Sequence, residues 1–230
     1  MPVDRDQLKK QAALRAVEFI EDGMVVGLGT GSTAYFVVEG LGARVKSGLK
    51  ITGIPTSERT ATQARSLGIP LATFAEHQRI DLTIDGADEV ERRSLNLIKG
   101  LGGALLREKI VAAASQRLVI VVDQEKLVDR LGDHTPVPVE VVQFGWQATA
   151  AALAKLGAEP VLRHAHEDHP FITDGGNYTL DCRVTKIADG RALERDINAI
   201  VGVVDCGLFI GRASAVIVAA TGGIHVMNAP

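Results

Sequence analysis

Apolar positions recur along the chain with two periods, and each period predicts a different element. Leu8, Ala12, Val17 and Ile20 follow helical spacing, so residues 5 to 21 read as a helix stopped by Asp22-Gly23. "MVVGLG" then reads as a buried strand, a helix follows from about Thr33 to Lys46, and "KITGIP" is the next strand. "TSERTATQARSLG" is a helix opened by Thr56 or Ser57 and closed by Gly68. "DLTIDGADEV" supplies a strand end, "LNLIKG" a short apolar run and "GALLREKIVAAAS" a helix. "RLVIVVD" is apolar throughout, as in strands covered on both faces. Alternating strands and helices of this kind predict a parallel sheet wrapped by helices, an α/β, Rossmann-like domain.

From about Asp133 the rhythm changes. "TPVPVEVV" (strand), "GWQATAAALAKLG" (helix), "EPVLRH" and "NYTLDCRV" (strands), "RALERDINAI" (helix) and "GVVDCGLFI" (a single final strand) follow in turn. That β-α-β-β-α-β order is the ferredoxin-like, split-βαβ arrangement. "SAVIVAAT" reads as a buried strand able to rejoin the first sheet. The expected organisation is therefore residues 1–132 plus 208–230 as the larger domain, with a smaller α+β domain, 133–207, inserted near its end.

Composition narrows the function. The chain has 230 residues with a net charge of −3, so no broad basic surface points to nucleic acid or an anionic membrane. No apolar run reaches spanning length, and the charged start "MPVDRDQLKK" lacks a signal-peptide core. Cys182 and Cys206 form no C-x-x-C pair and fit buried thiols in a reducing, cytoplasmic setting.

Three loops carry candidate chemistry. In "GLGTGSTA", Gly27, Gly29 and Gly31 allow a tight turn, while Thr30, Ser32 and Thr33 offer hydroxyls where a helix begins, a place suited to phosphate or carboxylate. It is neither a Walker A loop nor a full G-x-G-x-x-G, and a purely structural turn is the alternative. In "DGADEV", Asp85 and Asp88 at the rim of a sheet can bind hydroxyls, move protons or hold Mg²⁺; a capped turn would use the same residues. In "IKGLGGALLREKI", Lys99 precedes a glycine-rich turn and Glu108 has Ala104, Leu105, Val111 and Ala112 as helical neighbours. A carboxylate on that stripe would lose hydration and gain basicity, as a general base requires. Arg107 and Lys109 share similar neighbours, so spacing leaves open which of the three faces inward. Lys126 follows the apolar strand at the same rim.

The ordered set "GTGSTA", "PTSERT", "DGADE", "KGLGGALLREKI", "VDQEKLVDRLG", "PVPVEV" and "TDGGN" closely resembles ribose-5-phosphate isomerase, type A, over nearly the whole chain. The resemblance implies a substrate-binding role for Thr30, Gly31, Ser32 and Thr33, for Asp85, Gly86, Ala87 and Asp88, and for Lys99, Gly100, Leu101, Gly102 and Lys126. Beside that set it implies Glu108 as the proton-shuttling base, assisted by Asp85, Asp88 and Lys99. It also implies isomerisation of a phosphorylated pentose without metal or redox cofactor, in the cytoplasm, by a homodimer or homotetramer. The chain departs from the pattern at Leu101, where the family has glycine, and at Gln143, where it commonly has proline.

Three other readings stand beside it. "HAHEDH", residues 164 to 169, matches the H-x-H-x-D-H run of two-zinc metallo-β-lactamase-like hydrolases, although only His225 lies downstream. A sugar-sensing regulator of related fold would carry a helix-turn-helix segment, whereas this sequence is expected to open directly on the helix of the first βα layer. Another small aldose phosphate would need only modest changes in hydroxyl contacts. Lys9, Lys10 and Arg163 are additional candidates for a phosphate contact.

Overall fold

The computed structural model describes residues 5–184 and 187–229. By backbone contact the chain divides into two compact units. The first takes the chain up to residue 87, then 107–126, then 212 onward; the second takes 88–106 and 127–211. Residues 88–106, 127–132 and 208–211 thus group differently from the division expected at 132/133 and 207/208. The reason is a small sheet within the second unit, ordered Leu208–Phe209, Leu97–Ile98, Glu89–Glu91, Leu127–Val128.

The first unit is built on a six-stranded sheet in the order Gly223–Asn228, Ala215–Ala220, Ser115–Asp123, Ile80–Asp85, Val25–Leu28, Thr52–Pro55. Every neighbouring pair is parallel except the outermost, where Gly223–Asn228 runs against Ala215–Ala220. The central strands are apolar on both faces because helices cover them: Ala12, Ala16, Val37, Leu41, Leu82, Val119, Val121 and Ile217 share one core. On the other face Val111, from the helix Leu105–Ala114, packs with Ile54 and Ile80.

Parallel pairing sends the C-termini of the five strands other than Gly223–Asn228 to one edge. Leu28 pairs with Ile84 and with Pro55, and Asp85 with Ile120. The turns after Leu28, Asp85 and Asp123 therefore leave the sheet side by side, which is where open α/β sheets bind ligands. A helix leading into a parallel strand starts at that same edge. Glu108 lies one turn before Val111, whose side chain is beside Gly27 and so would touch any Cβ added there. That places Glu108 toward the edge.

The second unit contains a four-stranded antiparallel sheet, ordered Val203–Cys206, Val137–Val141, Tyr178–Val184, Ala158–Leu162, with the helices Trp146–Ala154 and Gly190–Asn198. Its core gathers Val139, Val141, Leu153, Leu180, Cys182, Ile197 and Cys206. The single strand expected across "GVVDCGLFI" is in fact two. Val203–Cys206 joins the four-stranded sheet, while Leu208–Phe209 pairs with Leu97–Ile98 in the small one. Gly207 marks the change: a Cβ there would stand 2.1 Å from the Lys99 carbonyl oxygen.

Candidate active site

The turn after Val25–Leu28 is held from below by hydroxyls. Thr30 Oγ1 lies 2.7 Å from Thr56 Oγ1, 2.8 Å from Ser57 Oγ and 3.1 Å from Thr60 Oγ1. Thr60 Oγ1 donates to the Gly29 carbonyl and Thr56 Oγ1 to that of Leu28. All four residues are buried. Ser57 also caps the helix Glu58–Ser66, its Oγ accepting from the Thr60 N–H at 3.1 Å. Gly31 then opens the helix Ser32–Lys46 with φ 124° and ψ 178°, a conformation nearly exclusive to glycine. Ser32 faces outward there, and Thr33 is buried behind it.

Asp85 is only 1% exposed. Its Oδ1 accepts the N–H groups of Thr30 at 3.1 Å and Gly86 at 2.8 Å, tying the first turn to the second. The contact is close enough that a Cβ on Gly29 would meet Oδ1 at 2.2 Å. Gly86 is different: an added Cβ would meet nothing nearer than the Val121 carbonyl oxygen at 3.9 Å, and its φ is not positive.

On the helix Leu105–Ala114, the ambiguity among three charges resolves. Glu108 is 3% exposed and Lys109 is buried as well. Arg107 instead turns outward to Glu58, with Nη1 to Oε1 at 2.8 Å. That hydrogen bond and the guanidinium charge hold the Glu58 carboxyl below its ordinary pKa. Lys126, half-buried, ends the 3₁₀ turn Gln124–Lys126 after the strand Ser115–Asp123. The first unit thus gathers Thr30 to Thr33, Asp85 to Ala87, Glu108 and Lys126 toward one sheet edge.

The second unit gathers the others. Lys99 is 2% exposed, its N–H bonded to the Gly207 carbonyl and its Nζ 5.5 Å from the centroid of the Phe209 ring. The turn beyond it takes positive φ at Gly100 (109°) and Gly103 (79°), and not at Leu101. Leu101 therefore sits without backbone strain, its side chain 40% exposed. Asp88 reaches this turn: its Oδ2 accepts the Leu101 N–H at 2.9 Å, and its own N–H donates to the Ile98 carbonyl.

"HAHEDH" forms an exposed hairpin, His164–His166 against His169–Pro170. Among the described residues no group of three or more His, Cys, Asp or Glu is placed to hold a metal ion. Of the extra basic candidates, Lys9 pairs with Asp6, and Arg163 is engaged by Asp181 and by backbone carbonyls. Sequence reasoning passed over Thr56, Ser57 and Thr60 as parts of the site, treating the first two only as a helix start. The signal was present in "PTSERT", three hydroxyls within five residues at the end of a strand neighbouring the glycine-rich turn. Glu89 was missed too. It is buried and accepts N–H groups from Gly132, His134 and Thr135, so it fixes the loop before Val137–Val141.

A family model described as ribose 5-phosphate isomerase A (phosphoriboisomerase A) matches residues 52–223. The chain is 64% identical over 226 residues to the ribose-5-phosphate isomerase A of Gloeobacter violaceus, covering 98% of each. Its structure is similar to that of ribose 5-phosphate isomerase A from Methanocaldococcus jannaschii, with TM-score 0.93, 41% identity, and 96% of this chain and 98% of that one covered. A D-ribose-5-phosphate isomerase solved in complex with phospho-erythronic acid gives TM-score 0.95 at 40% identity, covering 98% of this chain and all of that one (100%).

Proposed function

The chain belongs to the ribose 5-phosphate isomerase A family, and we propose that it interconverts D-ribose 5-phosphate and D-ribulose 5-phosphate with Glu108 as the general base. The reaction moves hydrogen within one molecule, so nothing is oxidised or reduced overall. With the sugar ring open, the Glu108 carboxylate takes the proton from C2. The C–H electron pair forms the C1–C2 double bond, and the former aldehyde oxygen becomes negative. Lys99 and backbone N–H groups of the Gly100–Gly102 turn stabilise that oxygen. A proton then passes from O2 to O1, and Glu108 returns its own to C1, leaving the ketone at C2. During ring opening Asp85 serves the ring oxygen or the O1 proton, and Asp88 orients hydroxyls. Thr30 to Thr33 and Lys126 receive the phosphate end.

The observation that carries this assignment is the burial of Glu108 toward the sheet edge where the Thr30 and Asp85 turns emerge. A base shielded from bulk water keeps its proton for redelivery instead of exchanging it at once. Gly86 supports the same reading: nothing inside the first unit requires glycine there, so its smallness is explained by a ligand lying against the turn. The phospho-erythronic acid bound by the solved relative is a short phosphorylated sugar acid, of the chemical class expected to occupy such a site.

Finer features belong to the same proposal: a Rossmann-like larger domain, 1–132 plus 208–230, a ferredoxin-like insertion, 133–207, a cytoplasmic location, and a homodimer or homotetramer. No described helix is long and apolar enough to cross a membrane. The test of the base is Glu108→Gln, which keeps the shape and removes the proton acceptor. Its kcat is expected to fall on the order of 10²-fold or more with KM within a few-fold, and near-native turnover would overturn the assignment.

A further inference from the structure

Arg163 is engaged at every nitrogen of its guanidinium within the second unit, and the proposed chemistry gives it no part. Its Nε donates to Asp181 Oδ2 at 2.9 Å and its Nη2 to Asp181 Oδ1. Its Nη1 donates to two successive carbonyls of the glycine-rich turn, Gly100 at 3.0 Å and Leu101 at 3.2 Å. The guanidinium carbon lies 5.7 Å from the centroid of the Phe171 ring, and that ring fills the place a Cβ on Gly103 would take, 2.3 Å from Phe171 Cζ. The hairpin of "HAHEDH" makes this possible. It folds the chain back so that the Phe171 N–H donates to the Arg163 carbonyl, setting the two side chains beside each other.

We propose that Arg163, oriented by Asp181 and Phe171, is a positioning residue that fixes the Lys99–Gly103 turn for catalysis; this rests on the reading that the turn serves the substrate. The Gly100–Leu101 peptide is gripped at both ends, its carbonyl by Arg163 and its N–H by Asp88. The Leu101–Gly102 peptide is held by its carbonyl. In a trans peptide the C=O and N–H point in opposite directions, so Arg163 turns the Gly102 N–H away from itself. That N–H is one of the donors assigned above to the developing oxyanion. Arginine suits the task because one rigid fork binds a carboxylate on one side and carbonyls on the other; lysine has no such fork. A cation committed in this way is also not a phosphate ligand, which removes Arg163 from the candidates for that role.

The test uses the full-length Arg163→Met and Arg163→Lys variants. Amide hydrogen exchange is followed without ligand, and steady-state kinetics with ribose 5-phosphate. Arg163→Met is expected to speed exchange at Leu101 and Gly103 by about tenfold or more. Its kcat should fall by tenfold to a hundredfold, the scale of a misplaced catalytic donor, with KM within about threefold. Arg163→Lys should shift both in the same direction by less, about threefold or more in kcat. Unchanged exchange at 101–103 in a folded variant would overturn the clamp, and faster exchange with kcat within twofold of wild type would overturn the positioning role. If Arg163→Met does not fold, Arg163→Lys is judged by its own thresholds. Glu108→Gln separates the two claims: an active Glu108→Gln removes the base assignment, while exchange at 101–103 still decides the clamp.

Discussion

Gly86 and Gly29 look alike in the sequence and do opposite jobs. Gly29 is required by the protein itself, since any side chain there collides with Asp85. Gly86 has open space around it and ordinary backbone angles. Gly86→Ala is therefore expected to leave stability unchanged or raise it by a few tenths of a kcal/mol, through the unfolded chain. It should nevertheless raise KM for ribose 5-phosphate about tenfold, because in the proposed site the added methyl would stand where the sugar lies. Chemical denaturation alongside kinetics checks both halves, and an unchanged KM would mean the sugar does not approach that turn. Residue identity was legible at both positions, and the reason at Gly29 was not. Both glycines lie next to a sheet edge in the sequence pattern, but only the register of Leu28 against Ile84 shows which one faces a carboxylate. The same holds for Leu101, whose departure from the family glycine is harmless because the positive φ angles fall on Gly100 and Gly103.

Helices and buried strands were the easiest elements to read, since a strong period and a cap mark them. Ser57, named as one of two possible helix starts, does cap Glu58–Ser66. What the pattern hid were pieces held by tertiary contact. Gly223–Asn228 is an outer strand, largely exposed, with no alternation to announce it. Strands of two residues, Leu97–Ile98 and Leu208–Phe209, carry too few positions for any period to show, and exist because they pair with each other. The hydroxyl cluster was only half legible for a related reason: "PTSERT" shows three of its members, but joining them to the first turn needs Thr30 and Thr60 to meet across thirty residues. Ser57→Ala removes both the helix cap and a hydroxyl bonded to Thr30. The expected cost is about 1–2 kcal/mol, seen as a lower urea midpoint with an unchanged m-value. A midpoint equal to wild type would show that the cluster is not a structural tie.

For the whole molecule, the cysteines report on integrity. Burial, with Asp181 and Cys206 beside it, pushes the Cys182 thiol up to about 12. Its folded pKa is thus above the unfolded value, near 8.5. The neutral thiol's contribution to stability is whole below the unfolded value and is lost as pH rises toward the folded one. The urea midpoint should therefore decline between about pH 9 and pH 12, less steeply in Cys182→Ala. At neutral pH a thiol reagent should modify neither Cys182 nor Cys206 until the protein unfolds, since both are fully buried. Rapid labelling of the native protein would contradict the core described here.

The catalytic role proposed for Glu108 turns on the hydrogen at C2. The most direct measurement starts from ribose 5-phosphate deuterated at C2 and follows departure of the label from C2, to C1 or to water, by NMR, for wild type and Glu108→Gln. Wild type is expected to clear the label from C2 as it turns over, with part of it arriving at C1, and Glu108→Gln to clear it more slowly by on the order of 10²-fold or more. Label loss from Glu108→Gln at the wild-type rate would mean that another group removes the proton.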